Sequence, residues 1–449
     1  MIHDPELETL ERERLHELQV ERLRAVARYA YERIGLYRER FEDAGVSPDQ
    51  IRSLDDLRRL PFTRKSDLRD EYPFGMFAVP REDIARIHGS SGTTGKPTVV
   101  GYTRADVELF AEVNARCLGM AGAEPGMMLH NAHGYGLFTG GLGVHYGGEQ
   151  LGLAVVPVSG GMTERQLLLI TDFRPDVLAC TPSYALTLAQ AFRERGVGPD
   201  EISLRHAIVG GEPWSETMRA EIDGGLGVRA CNLYGLSEVI GPGVACECTE
   251  ERAGSHVNED HFLPEVVDPE SGEQLPEGEV GVLVFTALTK QALPLIRYWT
   301  GDLASLSSEP CSCGRTLVRM SAIRGRTDDM LIIRGVNVFP TQVEAVLGRF
   351  SELAPHYQLA IGREGTLDTV EVRAELTEDY FRSVGSELAS GGAREAGHPL
   401  HVLSGRVSGL IKDSIGCSMT VAVVAPGSLP RSEGGKLSRV IDDRPRAEA

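Results

Sequence analysis

The sequence has no apolar run of the roughly 20 residues needed to cross a bilayer. Its first stretch, Met1–Arg14, is strongly charged where a secretory signal would carry an apolar core. Positive charge is short: 46 Lys and Arg stand against 65 Asp and Glu, a net charge of −19. That field repels a phosphate backbone and an anionic membrane, so neither nucleic acid nor a membrane is an expected partner. Cysteine is scarce, 8 in 449 residues, which excludes a disulfide-stapled scaffold and points to a reducing, cytoplasmic compartment. There is no internal repeat, which excludes a solenoid. Glycine, at 51, is plentiful, as a large α/β protein with many tight turns requires, and the length suffices for two or three domains.

Apolar residues recur at helical spacing from Leu7 to about Phe41, which predicts one or two amphipathic helices. Between Ile84 and Phe285 short apolar runs alternate with helical stretches. Gly152–Val158 precedes Thr163–Ile170, Val177–Cys180 precedes Tyr184–Arg195, and Arg205–Val209 precedes Ser215–Ile222. That alternation predicts βαβ units and a mostly parallel sheet. Thr163 with Gln166 fits a capping box. From Glu265 the pieces become shorter and β-like, as in Gly281–Thr286. A boundary is expected near Asp328, giving domains of residues 1–327 and 328–449. The smaller begins with a strand (Met330–Ile333), a turn (Arg334–Asn337) and a helix capped by Thr341 with Glu344, in an α+β arrangement.

The most informative stretch runs from His88 to Pro97 and contains Ser90, Ser91, Gly92, Thr93, Thr94, Gly95 and Lys96. Its glycines let backbone N–H groups close around an anion, its four hydroxyls can bond phosphate oxygens, and Lys96 adds charge. It is not a Walker loop, because Pro97 follows the lysine where that loop has Ser or Thr.

This string resembles the AMP-binding signature of the adenylate-forming superfamily of acyl-CoA synthetases, adenylation domains and luciferases. Five further stretches resemble that superfamily's motifs in order: Gly210–Pro213, Leu233–Glu238, Tyr298–Asp302, Gly325–Gly335 and Arg431–Lys436. Within the superfamily, His130–Gly141, Ser159–Arg165 and Val336–Gln342 are similar to phenylacetate–CoA ligases. The resemblance implies a large N-terminal α/β domain, a small mobile C-terminal α+β domain, and ATP-dependent transfer of a small aromatic acid to coenzyme A by way of an acyl-adenylate. Loading of the acid onto a carrier protein is the alternative. A homodimer is implied by relatives.

The same resemblance implies the roles of single residues. The loop from Ser90 to Lys96 would hold the β- and γ-phosphates. Gly211, Glu212 and Pro213 would wall the nucleotide pocket. In the motif Tyr234-Gly235-Leu236-Ser237-Glu238, Tyr234 would stack on adenine and Glu238 would hold Mg²⁺. Asp302 would accept both ribose hydroxyls, since one carboxylate offers two acceptors to a vicinal diol. Arg326 would reach the ribose–phosphate region. Asp328 would be the hinge, bringing in Lys436 for adenylation and the segment around Gly335 for thioester formation.

His133, Tyr135, Phe138, Gly141, Gly210 and Leu236 fall where this family lines its aryl pocket, and an apolar aromatic slot selects a flat ring. Compared with the phenylacetate ligases the chain carries His133 for tyrosine, Gly211 for alanine, and Trp299-Thr-Gly-Asp302 for Arg-Thr-Arg-Asp. These departures predict a wider or more polar acid. Outside the motifs, the pairs Cys246/Cys248 and Cys311/Cys313 with His256 nearby have the character of a tetrahedral structural zinc site. The resemblance favours Cys248, His256, Cys311 and Cys313 as its ligands, with Cys246 and His261 as substitutes.

Overall fold

The helical spacing after Leu7 resolves into three helices, α1 (Pro5–Glu8), α2 (Arg12–Arg33) and α3 (Gly35–Asp43). Leu15, Leu23, Val26, Ala27 and Ala30 of α2 are buried, one apolar stripe at the period of a helix lying on a larger body. The structure, a computed structural model, describes residues 1–90, 97–327, 331–334, 336–364, 367–384, 398–432 and 437–444. It divides into two compact units, one built from Met1–Gly211 with Ile222–Ile323, the other from Glu212–Glu221, Arg324–Ser432 and the C-terminal end.

In the first unit a short helix α4 (Lys65–Asp70) precedes the antiparallel hairpin β1 (Arg86–Ser90) and β2 (Thr98–Tyr102). Helix α5 (Arg104–Met120) then leads into the main sheet. Its parallel half consists of β3 (Met128–Asn131), β4 (Ala154–Pro157), β5 (Val177–Cys180), β6 (His206–Gly210) and β7 (Arg229–Leu236), with spatial order β4-β3-β5-β6-β7. The intervening helices are α6 (Gly140–Leu151), α7 (Thr163–Phe173), α8 (Pro182–Glu194) and α9 (Glu216–Leu226). The expected parallel sheet ends at β7. Only four residues separate it from β8 (Gly241–Glu247), too few for the crossover that a parallel neighbour needs, so β8 runs antiparallel. β9 (Ser255–Val257) continues that half. A smaller antiparallel layer follows from β10 (Phe262–Val267), β11 (Gly281–Ala287) and β12 (Tyr298–Ala304). The short strands β13 (Leu306–Ser307) and β14 (Arg319–Met320) return to the edge beyond β9.

One apolar cluster joins α2 and α3 to β8, β11 and β12 through Phe41, Tyr102, Phe110, Phe262, Phe285 and Tyr298. A second lies under the parallel strands, with Leu129, Val144, Val177, Ile208 and Leu233. The central parallel strands β5 and β6 are buried nearly throughout, which is why they read as continuous apolar runs, whereas the edge strand β4 is partly exposed.

The second unit contains β15 (Gly325–Arg326), the hairpin β16 (Leu331–Ile333) and β17 (Val336–Val338), α10 (Pro340–Leu347), α11 (Glu378–Val384) and α12 (Pro399–Ile415). Its four-stranded sheet has the order β20-β19-β18-β21, from β18 (Leu353–Glu364), β19 (Leu367–Leu376), β20 (Thr420–Val424) and β21 (Val440–Asp442). Val336 and Asn337, expected in the turn Arg334–Asn337, are instead paired in the hairpin, with Ile333 and Ile332.

Both expected capping boxes are corrected. Helix α10 starts with Pro340, so Phe339 is its N-cap, and the Thr341 hydroxyl donates to the Arg324 carbonyl. Glu344 instead accepts from Tyr357 and Arg439. Helix α7 begins at Thr163 after a left-handed Met162, with no side-chain cap, and Gln166 is used elsewhere.

Candidate active site

Ligands of parallel α/β sheets bind beyond the carboxyl ends of the strands. Here those ends carry Asn131 after β3, Ser159 after β4, Gly210 on β6 and Tyr234–Leu236 on β7. The phosphate-loop candidates Ser91, Gly92, Thr93, Thr94, Gly95 and Lys96 lie outside the described residues, but their flanks are fixed. Ser90 and Thr98 are paired across the β1–β2 hairpin, so both ends of the loop leave one point. Beneath it His88 is buried, its Nδ1 3.0 Å from the Leu137 carbonyl and its ring edge-on to Tyr102. Burial lowers its pKa, keeping the imidazole neutral.

Tyr234 and Asp302 are joined. The phenol donates to the Asp302 carboxylate at 2.7 Å, and both residues are buried. The Tyr234 ring tilts against Phe285 at 6.1 Å between centroids. Beside Tyr234 the β7–β8 pairing shifts register, and a Cβ on Gly235 would come within 1.9 Å of the Gly241 carbonyl oxygen, so only glycine fits. Ser237 shares a 3.2 Å hydrogen bond with Thr139. Glu238 is buried, with the Lys65 ammonium 3.6 Å from Oε1. Its backbone carbonyl accepts from Lys290 at 3.2 Å. That lysine is fully buried, lies 4.6 Å over the Tyr102 ring, and has its pKa pushed down to about 8 by desolvation. Gly211 has φ +86°, with open space where a Cβ would stand.

On the acyl side, Asn131 ties three candidates together. Its amide donates to the Tyr135 hydroxyl and to the Gly141 carbonyl, both at 2.8 Å, and its oxygen accepts from the His133 backbone N–H at 3.2 Å. The Tyr135 hydroxyl is also 3.2 Å from His145 Nδ1. The His133 ring is 5% exposed, its Nε2 has no hydrogen-bond partner, and burial drives its pKa down to about 4. Phe138 is 40% exposed, Leu236 half-buried and Gly210 buried.

In the second unit, Arg326 lies on β15 and Glu212 accepts from the Leu437 N–H at 2.9 Å. Pro213 is exposed. Arg431 forks onto the buried Glu375 at 2.8 and 2.7 Å. Leu437 and Arg431, on either side of residues 433–436, are thereby held. Asp328, Gly335 and Lys436 lie outside the described residues.

Cys248, His256, Cys311 and Cys313 lie together in the structure. The Sγ atoms of Cys248 and Cys311 are 3.6 Å apart, Cys313 Sγ is 3.4 Å from His256 Nε2, and the four donor atoms all lie within 4.8 Å of one another. His256 Nδ1 stands 3.4 Å from the Leu317 carbonyl, which orients the ring with Nε2 toward the thiols. These four fit a tetrahedral N/S-ligated ion. The substitutes drop out: Cys246 points into the core on β8, and His261 is occupied by Thr289 at 2.8 Å and Asp260 at 3.1 Å.

Sequence reasoning missed Lys65, Lys290, Asn131 and Gln166. Lys290 had a signal, a single charge inside the apolar run Ala287–Ile296. Lys65 had none, because its partner Glu238 lies far along the chain. The nearby partners of Asn131 and Gln166 are largely backbone groups, which no side-chain pattern reveals.

The family model described as AMP-binding enzyme matches residues 22–287, and that described as AMP-binding enzyme C-terminal domain matches residues 335–444. A phenylacetate-coenzyme A ligase of Thermus thermophilus is 64% identical over 444 residues, covering 99% of this chain and 100% of the relative. The phenylacetate-coenzyme A ligase of Escherichia coli is 50% identical, over 98% and 97% of the two chains. Among solved structures, a 2-hydroxyisobutyryl-CoA ligase with its adenylate bound matches with a TM-score of 0.88 at 31% identity, over 98% and 92% of the chains. No helix among the described residues is long and apolar enough to cross a membrane. The chain belongs to the family of AMP-binding, adenylate-forming enzymes and is phenylacetate–CoA ligase-like.

Proposed function

We propose that this chain is an AMP-forming aryl-CoA ligase. A small aromatic carboxylate attacks the α-phosphorus of ATP, releasing pyrophosphate and leaving an acyl-adenylate. The thiol of coenzyme A then attacks the acyl carbon, giving the thioester and AMP. Two anions must meet in the first step, so the protein's task is to align them and neutralise charge.

The observation that carries the reading is a pair of buried carboxylates near the end of β7, Glu238 just past that strand and facing Lys65, and Asp302 on β12 held by the Tyr234 phenol. It stands in a chain similar throughout to phenylacetate-coenzyme A ligases. Asp302 accepts the ribose hydroxyls, with the Tyr234 hydroxyl fixing the carboxylate's orientation. The loop from Ser90 to Lys96 holds the outer phosphates, Gly211, Glu212 and Pro213 wall the nucleotide, and Arg326 contacts its ribose–phosphate. Glu238 would hold Mg²⁺, which would supply positive charge near the phosphates. Lys65 is the exchangeable cation that balances Glu238 between turnovers. Lys436 bridges carboxylate and α-phosphate, Asp328 is the hinge, Gly335 passes the pantetheine arm, and the aryl ring sits between Tyr135, Phe138, His133, Gly141, Gly210 and Leu236. Cys248, His256, Cys311 and Cys313 hold a structural zinc that clips the β8–β9 edge to the loop before β14.

Acid-dependent AMP formation is the test. Monocyclic aryl acids should drive AMP release in step with thioester when coenzyme A is present. Absence of any aryl-acid-dependent AMP would overturn the reading.

A further inference from the structure

The loop between β4 and α7 is wound against its own backbone preference. Ser159, Gly161 and Met162 all have positive φ, at 72°, 79° and 52°. Two of the three are not glycine, and such residues persist in the left-handed region only where surroundings over-determine them. One side chain supplies two of the restraints. Gln166, fully buried on the first turn of α7, sends its Nε2 to the carbonyl of Ser159 at 2.7 Å and to that of Gly161 at 2.9 Å. Both partners are acceptors, so this end must be the NH₂ group. Oε1 is then left to accept, and 2.5 Å away stands Nε2 of the buried His130 on β3, which must therefore carry its proton. The Tyr184 hydroxyl donates to the same Gly161 carbonyl at 2.9 Å.

What this clamp shapes is the wall of the acyl site. Ser159 donates its N–H to the Asn131 carbonyl at 3.2 Å, and its hydroxyl accepts from the Tyr135 N–H at 3.4 Å. Asn131 in turn holds the Tyr135 hydroxyl and the Gly141 carbonyl. The wound loop also leaves Met162 54% exposed beyond that wall.

We propose that Gln166, backed by His130 and Tyr184, is a positioning residue for acid selectivity: it fixes the strained Ser159–Met162 loop and so sets the width of the acyl pocket. Rigid loops discriminate by shape; a loosened one accepts larger rings at the expense of the small one. The inference rests on the aryl-ligase reading above.

The test uses the full-length enzyme, with Gln166→Glu and Tyr184→Phe as variants. Gln166→Glu keeps length and one acceptor but cannot donate to both carbonyls. Losing those bonds should raise KM for a monocyclic aryl acid roughly tenfold and favour a bicyclic over a monocyclic acid by a similar factor in kcat/KM. KM for ATP should stay within about twofold of wild type, because the nucleotide contacts are untouched. Tyr184→Phe, which removes one donor, should shift both acid readouts by roughly threefold in the same direction. Should Gln166→Glu fail to fold, Tyr184→Phe decides alone. Unchanged acid KM and selectivity in a folded variant, or an equal change in KM for ATP, would overturn the proposal. If aryl acids drive no reaction in the wild type, the aryl reading has failed, and the same comparison is made with whichever acid does drive it.

Discussion

Two clusters in the first unit, the cysteine–histidine group and the carboxylates around Glu238, illustrate opposite uses of buried polar side chains. At Cys248, His256, Cys311 and Cys313 every donor turns inward to one point, and Leu317 steadies the imidazole from behind. That is a closed site, suited to holding and not to reacting. At Glu238 the arrangement stays open. Its oxygen faces a lysine, Lys65, whose side chain is 36% exposed and can swing away. Lys290, by contrast, is fully buried, donates to the Glu238 backbone carbonyl and lies over the Tyr102 ring. The carboxylate has a half-exposed cation beside it, whereas the three thiols and the imidazole face one another.

The largest effect should break the open side. Replacing Glu238 with Gln removes the charge while keeping the shape, and acid-driven exchange of pyrophosphate into ATP should fall by roughly 10²- to 10³-fold. Retention of wild-type exchange would make Glu238 merely structural. The Asp302→Asn variant sharpens the same point, with KM for ATP rising roughly ten- to hundredfold as a charged acceptor is lost.

The closed side should respond in stability instead. Purified protein should carry one zinc per chain by elemental analysis. Cys311→Ser should lose that metal and lower the unfolding midpoint by on the order of 5 °C, with exchange by the folded fraction close to wild type. Well under one zinc per chain in the wild type would remove the cluster from the account.

The smallest effect separates the two lysines by pH. Burial pushes the Lys290 pKa down to about 8 from an ordinary 10.5. Between those values the unfolded chain holds a proton that the folded one has released, so stability rises with pH across that window. Below about pH 8 both forms are protonated and the burial cost is fully felt. Lys290→Met should therefore flatten the stability curve between about pH 8 and 10.5 relative to wild type, measured by denaturant unfolding. A parallel offset of the two curves would mean that Lys290 titrates normally.

How much the sequence revealed follows from distance along the chain. The strands Val177–Cys180 and Gly281–Ala287 were legible because their apolar runs and flanking turns are local. The cysteine cluster was legible because thiols are rare in this chain, so two pairs and a histidine stand out. The capping role of Gln166 was misread, since sequence spacing cannot tell that His130, on β3, and two carbonyls of a left-handed loop compete for the same amide. The Tyr234–Asp302 hydrogen bond joins residues 68 apart, and no pattern in either motif announces it. Lys65 was invisible for the same reason, a surface-like lysine whose partner arrives from β7.

The central claim, that a C-terminal lysine joins carboxylate to phosphorus, is tested most directly by Lys436→Ala in two separate half-reactions. Aryl-acid-driven exchange of pyrophosphate into ATP should fall by on the order of 10³-fold, while thioester formation from supplied acyl-adenylate and coenzyme A continues near the wild-type rate. Exchange at the wild-type rate in Lys436→Ala would contradict it.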